Sequence, residues 1–333
     1  MTFNAASAVA HPNIALAKYW GKRDGAGNYP AVPSLSVTLD GMATRTTLRF
    51  DERLSEDRFI LGNELLIGRP LERLSRLVDE VRLAAGLTTR VSVVSANDFP
   101  TASGLASSAS GFAALALAAV TAADLAWTPE QVSNLARRAS ASAARSVFGG
   151  FARLAAGPIG SDGSVALAAE PVAGSDAMPM KVVVCVTHEG SKSVASTDGM
   201  LRTMASSPYY ERWLSYAVEN EAALHKALLS GNFQEVGELA EASALAMHAT
   251  ALACGVSYFN GATLEALKQL RLLRDAGLAV YGTIDAGPHV KVLVRPDQEP
   301  IVTPKLRAIA GVVRTIVTTP GGAPSVERLK KPS

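Results

Sequence analysis

From Phe99 to Ala123 the chain carries no charged residue. A run of that length either crosses a membrane or is enclosed by the rest of the fold. Its make-up decides between the two. The first part, FPTASGLASSASG, is turn-like and full of small polar residues, and the apolar remainder from Gly111 to Ala123 is too short to span a bilayer. The expectation is a buried helix that starts in the Ser/Gly stretch near Gly104 and runs to about Leu125. Enclosing such a helix takes a large core. With 333 residues, 48% hydrophobic and 19% charged, the chain has enough apolar surface, and disorder is excluded as the dominant state. At roughly 150 residues per domain, two lobes are expected.

Lysine and arginine total 32 against 30 acidic residues, a net charge of +2, which makes no general electrostatic case for nucleic acid or a membrane surface as partner. Cys185 and Cys254 are too few for a disulfide scaffold or a cysteine-rich zinc module and suit a reducing compartment. The opening MTFNAASAVAHPN lacks the basic and apolar regions of a signal peptide, so a cytoplasmic location is expected.

Local patterns give an α+β reading. Thr44–Phe50 and Val91–Ser95 are strand-like. Leu71, Leu74, Leu77, Val78 and Val81 recur at helical spacing over Pro70–Ala85, with Gly86 as a stop. Another helix starts at Pro129, capped by Thr128, with Glu130 and Gln131 in its first turn. The loop-rich interval before Lys181 places a lobe boundary near residue 180, giving units 1–180 and 181–333. The second unit reads as a strand at Lys181–Thr187 and helices at Pro208–Leu229, Phe233–Ala251 and Thr263–Ala276. Strands at Val280–Ile284, Val290–Val294 and Val312–Thr318 close it.

Four segments carry chemistry. In the first, Gly104 permits close backbone approach, and free N–H groups at a helix start make an anion site without any basic side chain. Ser103, Ser107 and Ser108 add hydroxyls for phosphate, or oxygen ligands for a magnesium ion that accompanies a nucleotide. It is not a Walker A loop, and tight packing of small residues explains it equally well. In 13-NIALAKYWGKRD-24, Lys18 and Lys22 are four apart, so a helical turn would set both on one face around an anion, with Gly21 clearing its approach. In 140-SASAARSVFGGF-151, Arg145 lies among small and apolar residues. Burial there requires an anion, either a protein carboxylate or a ligand's. In 283-TIDAGPHV-290, Asp285 ends a strand before a Gly-Pro turn, where it either caps its own turn or is presented to a site.

Together these segments resemble the GHMP kinase superfamily and, within it, the diphosphomevalonate decarboxylase family. Pro-x3-Gly-Leu-Ala-Ser-Ser-Ala is similar to the superfamily phosphate loop. Asn-Ile-Ala-x2-Lys-Tyr-Trp-Gly-Lys-Arg-Asp, the Ser-Ala-Ser-Ala-Ala-Arg-Ser run and Asp-Ala-Gly-Pro are similar to decarboxylase segments. The resemblance extends from about Ala10 to Pro288 and implies a two-lobed α+β fold with a central cleft. It implies ATP and Mg2+ as cofactors and mevalonate 5-diphosphate as substrate, decarboxylated after transient 3-O-phosphorylation. ATP would sit on Ser103, Gly104, Leu105, Ala106, Ser107, Ser108 and Lys192. The substrate would meet Asn13, Lys18, Tyr19, Trp20, Gly21 and Lys22, the run Ser140, Ala141, Ser142, Ala143, Ala144 and Arg145, and Ser196 with Thr197.

The resemblance makes Asp285, Arg145 and Lys22 catalytic, with Asp285 on the substrate's tertiary hydroxyl and Arg145 on its carboxylate. It carries over no metal ligands, and a second substrate arginine falls near Arg69. Ala141 and Ala144 stand where the family has Gly and Cys, and His11 and His289 receive no role. A mevalonate 5-phosphate or 3,5-bisphosphate decarboxylase, a mevalonate 3-kinase and a silent metabolite sensor remain alternatives. A homodimer is one option for the oligomeric state.

Overall fold

The computed structural model describes residues 4–23, 27–99, 107–159, 164–190 and 194–330. The charge-free run becomes α2 (Ser107–Ala122), a helix buried on nearly every side. It lies against a six-stranded sheet whose strands, numbered in chain order through the whole fold, run β14 (Ser325–Leu329), β1 (Ala5–Ala10), β4 (Thr44–Phe50), β7 (Val91–Asn97), β5 (Arg58–Leu61) and β6 (Glu64–Leu65). Alanines meet across this contact: Ala6, Ala8 and Ala10 of β1 and Ala113, Ala116 and Ala119 of α2 share one core. Small side chains let the helix sit close to the sheet, which is why an alanine-rich, charge-free stretch folds here rather than in lipid. α1 (Arg69–Ala85) and α3 (Pro129–Ala139) cover its other flanks. Both ends behave as their sequences dictate: Gly86 closes α1 in the left-handed region at φ 65°, and Thr128 with Gln131 forms a reciprocal cap on α3.

A second sheet has the order β2 (Asn13–Ala17), β3 (Ser34–Thr38), β8 (Phe151–Leu154) and β9 (Ala169–Ala173). The third has the order β11 (Val280–Ile284), β12 (Val290–Val294), β10 (Lys181–Val186) and β13 (Arg314–Thr318), antiparallel throughout. α4 (Ser196–Ser206), α5 (Tyr210–Leu229), α6 (Phe233–Leu252), α7 (Gly261–Asp275) and α8 (Glu299–Arg307) surround it. α6 lies against both β2 and β11, so one helix joins the second sheet to the third.

Four features that local sequence patterns do not announce shape the site. Lys18 to Lys22 do not form the helical turn that would set both lysines on one face, because β2 (Asn13–Ala17) runs straight into Lys18 and Lys22 lies in an isolated antiparallel bridge with Pro30. The run after Ser140 is a 3-10 helix over Ala141–Val147. Ser196 and Thr197 stand in the first turn of α4. The carboxy-terminal tail returns as β14 to pair with β1, on the sheet built otherwise from the first half of the chain. No helix among the described residues is long and apolar enough to cross a membrane.

Candidate active site

A cleft of about 390 Å³ is lined by residues from the second sheet, the 3-10 helix, α2, α4 and the β11–β12 turn. Asp285 enters it from that turn. The turn is tight, with the Gly287 amide donating to the Asp285 carbonyl at 2.7 Å. Its far side is pinned by the hydroxyls of Thr263 and Thr187, which donate to the Pro288 carbonyl at 2.6 and 3.1 Å. The Thr187 amide donates to Nδ1 of His289 at 3.2 Å, so this histidine anchors backbone and faces away from the chemistry.

Asp285 is held by two buried lysines. Lys18 Nζ lies 2.6 Å from Oδ1 and Lys291 Nζ lies 3.0 Å from Oδ2. Their charges outweigh the cost of burial and hold the carboxyl well below the usual carboxylate range. Burial lowers Lys18 to about 8, with Asp285 opposing that shift. Arg145 is 2% exposed. It donates to Ser34 Oγ at 2.7 Å, Ser36 Oγ at 2.9 Å and Asn13 Oδ1 at 3.4 Å. Among the described residues it forms no ion pair with a carboxylate, and desolvation brings its pKa down to about 10, so it stays charged at neutral pH. A guanidinium held by neutral oxygens at a cleft wall is suited to a ligand carboxylate. Asn13 is fixed in turn by Ser142 O at 3.0 Å and Ser146 Oγ at 2.8 Å.

Toward the rim the lining is polar but less crowded. Lys22 Nζ reaches Asn28 Oδ1 at 2.7 Å and Thr197 Oγ1 at 3.5 Å. Ser140 and Ser142 hydroxyls sit 3.2 Å apart. Tyr19 Oη is buried with no hydrogen-bond partner among the described residues. Ser107 and Ser108, at the start of α2, line this cleft and also a neighbouring cavity of about 280 Å³ walled by Phe59, Ile60, Leu66, Leu74, Val93 and Phe112. α4 begins at Ser196 with no side-chain cap, and Ser196 and Thr197 line the same cleft as Ser107 and Ser108.

The structure corrects several sequence assignments. Lys18 is not a second phosphate lysine on the face of Lys22; it is buried and committed to Asp285. Trp20 is 2% exposed and packs edge-on against Tyr258, away from the cleft. Gly21 has a packing reason to be glycine: a Cβ there would collide with the Tyr210 hydroxyl, and its φ of +111° is a glycine conformation. Ala143 and Ala144 are fully buried in the core around α2, whereas Ala141 lines the cleft. Arg69 is exposed; Arg73, four residues on, is the arginine of α1 that reaches the cleft. His11 bonds the Met42 carbonyl at 2.8 Å. Ser103, Gly104, Leu105, Ala106 and Lys192 lie outside the described residues.

Sequence reasoning missed Lys291, Arg73 and Asn28. For Lys291 a signal was available: it is a charged residue in the middle of an otherwise apolar strand, Val-Lys-Val-Leu-Val. Arg73 sits on what reads as the solvated face of an amphipathic helix, and nothing local marks it.

The serines that open α2 and α4, an ionised aspartate and an arginine that pairs with no carboxylate among the described residues line one cleft of this α+β architecture, a site suited to a small anionic substrate, and the fold is that of the GHMP kinases. Family models narrow this further. Residues 10–166 match the diphosphomevalonate decarboxylase-like N-terminal domain. Residues 182–326 match the mevalonate 5-diphosphate decarboxylase C-terminal domain. The diphosphomevalonate decarboxylase of Schizosaccharomyces pombe is 35% identical over 320 residues, covering 89% of this chain and 80% of its own. The phosphomevalonate decarboxylase of Haloferax volcanii is 34% identical, covering 86% and 87%. A solved complex, MDDEF with MVAPP, AMPPCP and magnesium, superposes with a TM-score of 0.90 at 36% identity over 98% of this chain and 100% of that one. The chain belongs to the diphosphomevalonate decarboxylase family, and it is an enzyme.

Proposed function

We propose that the cleft binds mevalonate 5-diphosphate and ATP and converts them to isopentenyl diphosphate, ADP, phosphate and carbon dioxide. The observation that carries this reading is the shared cleft of Asp285, Arg145 and the start of α2. Arg145 takes the substrate carboxylate. Lys22, Arg73, Ser196 and Thr197 take the diphosphate, with Tyr19 Oη free to donate to an oxygen. Ser107 and Ser108 take ATP phosphates, and the apolar cavity beside them takes the base. The hydroxyl oxygens at the start of α2 are hard donors that fit magnesium, which offsets phosphate charge when bound. A cytoplasmic location, with free Cys185 and Cys254, and the lobes 1–180 and 181–333, crossed by β14, belong to the same proposal.

Asp285 is too weak a base to ionise a tertiary alcohol beforehand. It accepts a hydrogen bond from the 3-hydroxyl, aligns that oxygen with the γ-phosphorus, and takes the proton only as the O–P bond forms and ADP leaves. The new phosphate group then departs with the C–O bonding pair. Electrons of the bond to the carboxylate form the alkene, and carbon dioxide is released. Arg145 holds the carboxylate as an ionised group through this step, because a guanidinium orients it without giving up a proton.

The Haloferax relative supports a second reading, with mevalonate 5-phosphate as substrate. Supplying ATP with mevalonate 5-diphosphate, 5-phosphate or 3,5-bisphosphate, and measuring ADP and carbon dioxide separately, tests both. Carbon dioxide from the 5-diphosphate is expected. Release from the monophosphate alone overturns the substrate, ADP without carbon dioxide indicates a kinase, and binding without ADP indicates a sensor.

A further inference from the structure

Lys291 is fully buried, on a strand with neighbours on both sides: Val184 of β10 and Thr283 of β11 stand opposite it in register. An ammonium in such a place is strongly disfavoured unless it is paired. Its Nζ lies 3.0 Å from the oxygen of Asp285 that Lys18 does not hold. One lysine would be enough to neutralise one carboxylate. Lys18 and Lys291 instead hold its two oxygens separately, Lys18 on Oδ1 and Lys291 on Oδ2, so the carboxyl is gripped from the end of β2 and from β12 and its orientation in the cleft is fixed.

We propose that Lys291 is a positioning residue for the reaction: by clamping Oδ2 it leaves Asp285 a single orientation toward the substrate hydroxyl and keeps it ionised at the moment of phosphoryl transfer. This rests on the decarboxylase reading above. Lys291 touches neither substrate nor nucleotide in it and acts only through Asp285.

Charged and titratable groups face Asp285 from each element packed around it. These are Lys18 after β2, Lys291 on β12, Arg145 in the 3-10 helix and His248 on α6. Burial keeps His248 neutral down to about 3 and Arg145 stays charged to about 10, so neither titrates near neutrality. Lys18, at about 8, does. Removing the Lys291 charge raises both Asp285, which loses a stabilising cation, and Lys18, which loses a repelling one.

The test is Lys291→Met, with Lys291→Arg as the charge-preserving control, in the full-length enzyme. For Lys291→Met we expect kcat to fall at least tenfold with KM for ATP little changed. The acid and alkaline limbs of its pH–rate profile should both move up by about one pH unit or more. Its thermal unfolding should stay cooperative, since Asp285 keeps Lys18. Lys291→Arg should recover at least half of the lost activity and restore the limbs. Wild-type kcat and profile in Lys291→Met overturn the proposal, as does a loss of rate with unmoved limbs. Failure of Lys291→Met to fold makes the residue structural and overturns it too. Wild-type enzyme that releases no carbon dioxide from any mevalonate phosphate would instead defeat the decarboxylase reading.

Discussion

At the floor of the cleft Asp285 has lysines at 2.6 and 3.0 Å, and both lysines and Arg145 are buried. At the rim Lys22 has only the amide oxygen of Asn28 at 2.7 Å and a threonine hydroxyl, and Arg73 donates to the Ala139 carbonyl at 2.7 Å. Neither rim cation forms an ion pair among the described residues. The contrast separates two tasks. Charges that must hold a reacting group in one geometry are paired before substrate arrives, so nothing reorganises during the reaction. Charges that must welcome an anionic ligand are left with neutral partners, which phosphate oxygens displace at little cost. The floor serves turnover and the rim serves affinity.

The strongest challenge to that division is Asp285→Ala. Turnover should fall by roughly 10²–10⁴-fold, the range for a lost proton-transfer group, while diphosphate affinity changes far less. The variant also strands two buried lysines, so Asp285→Asn, which keeps shape and some hydrogen bonding, should melt higher yet remain slow. Carbon dioxide release near the wild-type rate in either variant would remove Asp285 from the mechanism.

Arg145→Lys comes next. An ammonium cannot reach Ser34, Ser36 and a ligand carboxylate together, so kcat/KM should drop by about 10- to 100-fold, equivalent to one or two charge-assisted hydrogen bonds. The loss should appear in both kcat and KM, because this arginine belongs to floor and ligand alike. Unchanged kinetics would mean that no fork-shaped contact forms. Lys22→Ala, a rim change, should weaken inorganic pyrophosphate binding about tenfold by calorimetry and leave kcat at saturating substrate nearly intact. A large fall in kcat instead would erase the distinction between floor and rim.

What was legible in the sequence follows the same line. α1, α3, β4 and β12 were readable because each obeys a local rule: apolar period, cap, β-branched run or glycine stop. The Asp285 and Arg145 segments were readable as motifs. The role of Lys18 was not, because its partner is 267 positions away in the chain, and only the return of β11 beside β2 brings them together. Reading Lys18 to Lys22 as a helical turn failed for a related reason. The two lysines have the spacing of one helix face, but the chain leaves β2 directly into Lys18 and pairs Lys22 with Pro30, and those tertiary contacts overrode the spacing. Gly21 likewise is required by Tyr210, 189 positions later, a contact no local pattern announces.

Lys18 also sharpens the comparison through stability, where the smallest effect is expected. Its folded pKa is about 8 against an ordinary value of 10.5, so between those values the unfolded chain holds a proton that the folded one lacks. Stability therefore rises with pH across that window, by at most about 1.4 kcal/mol per pH unit for one proton. Below about 8 both states are protonated, and the cost of burying the charge is constant. Cys185, pushed up to about 12 by burial, slopes the opposite way above pH 9, so the raw curve mixes contributions. The difference between wild type and Lys18→Met, from denaturant melts between pH 7.5 and 9.5, isolates the lysine. Wild type should gain on the variant as pH rises. Parallel curves would mean that Lys18 keeps its proton through the alkaline range, and that the floor is held by a permanent ion pair rather than one poised near neutrality.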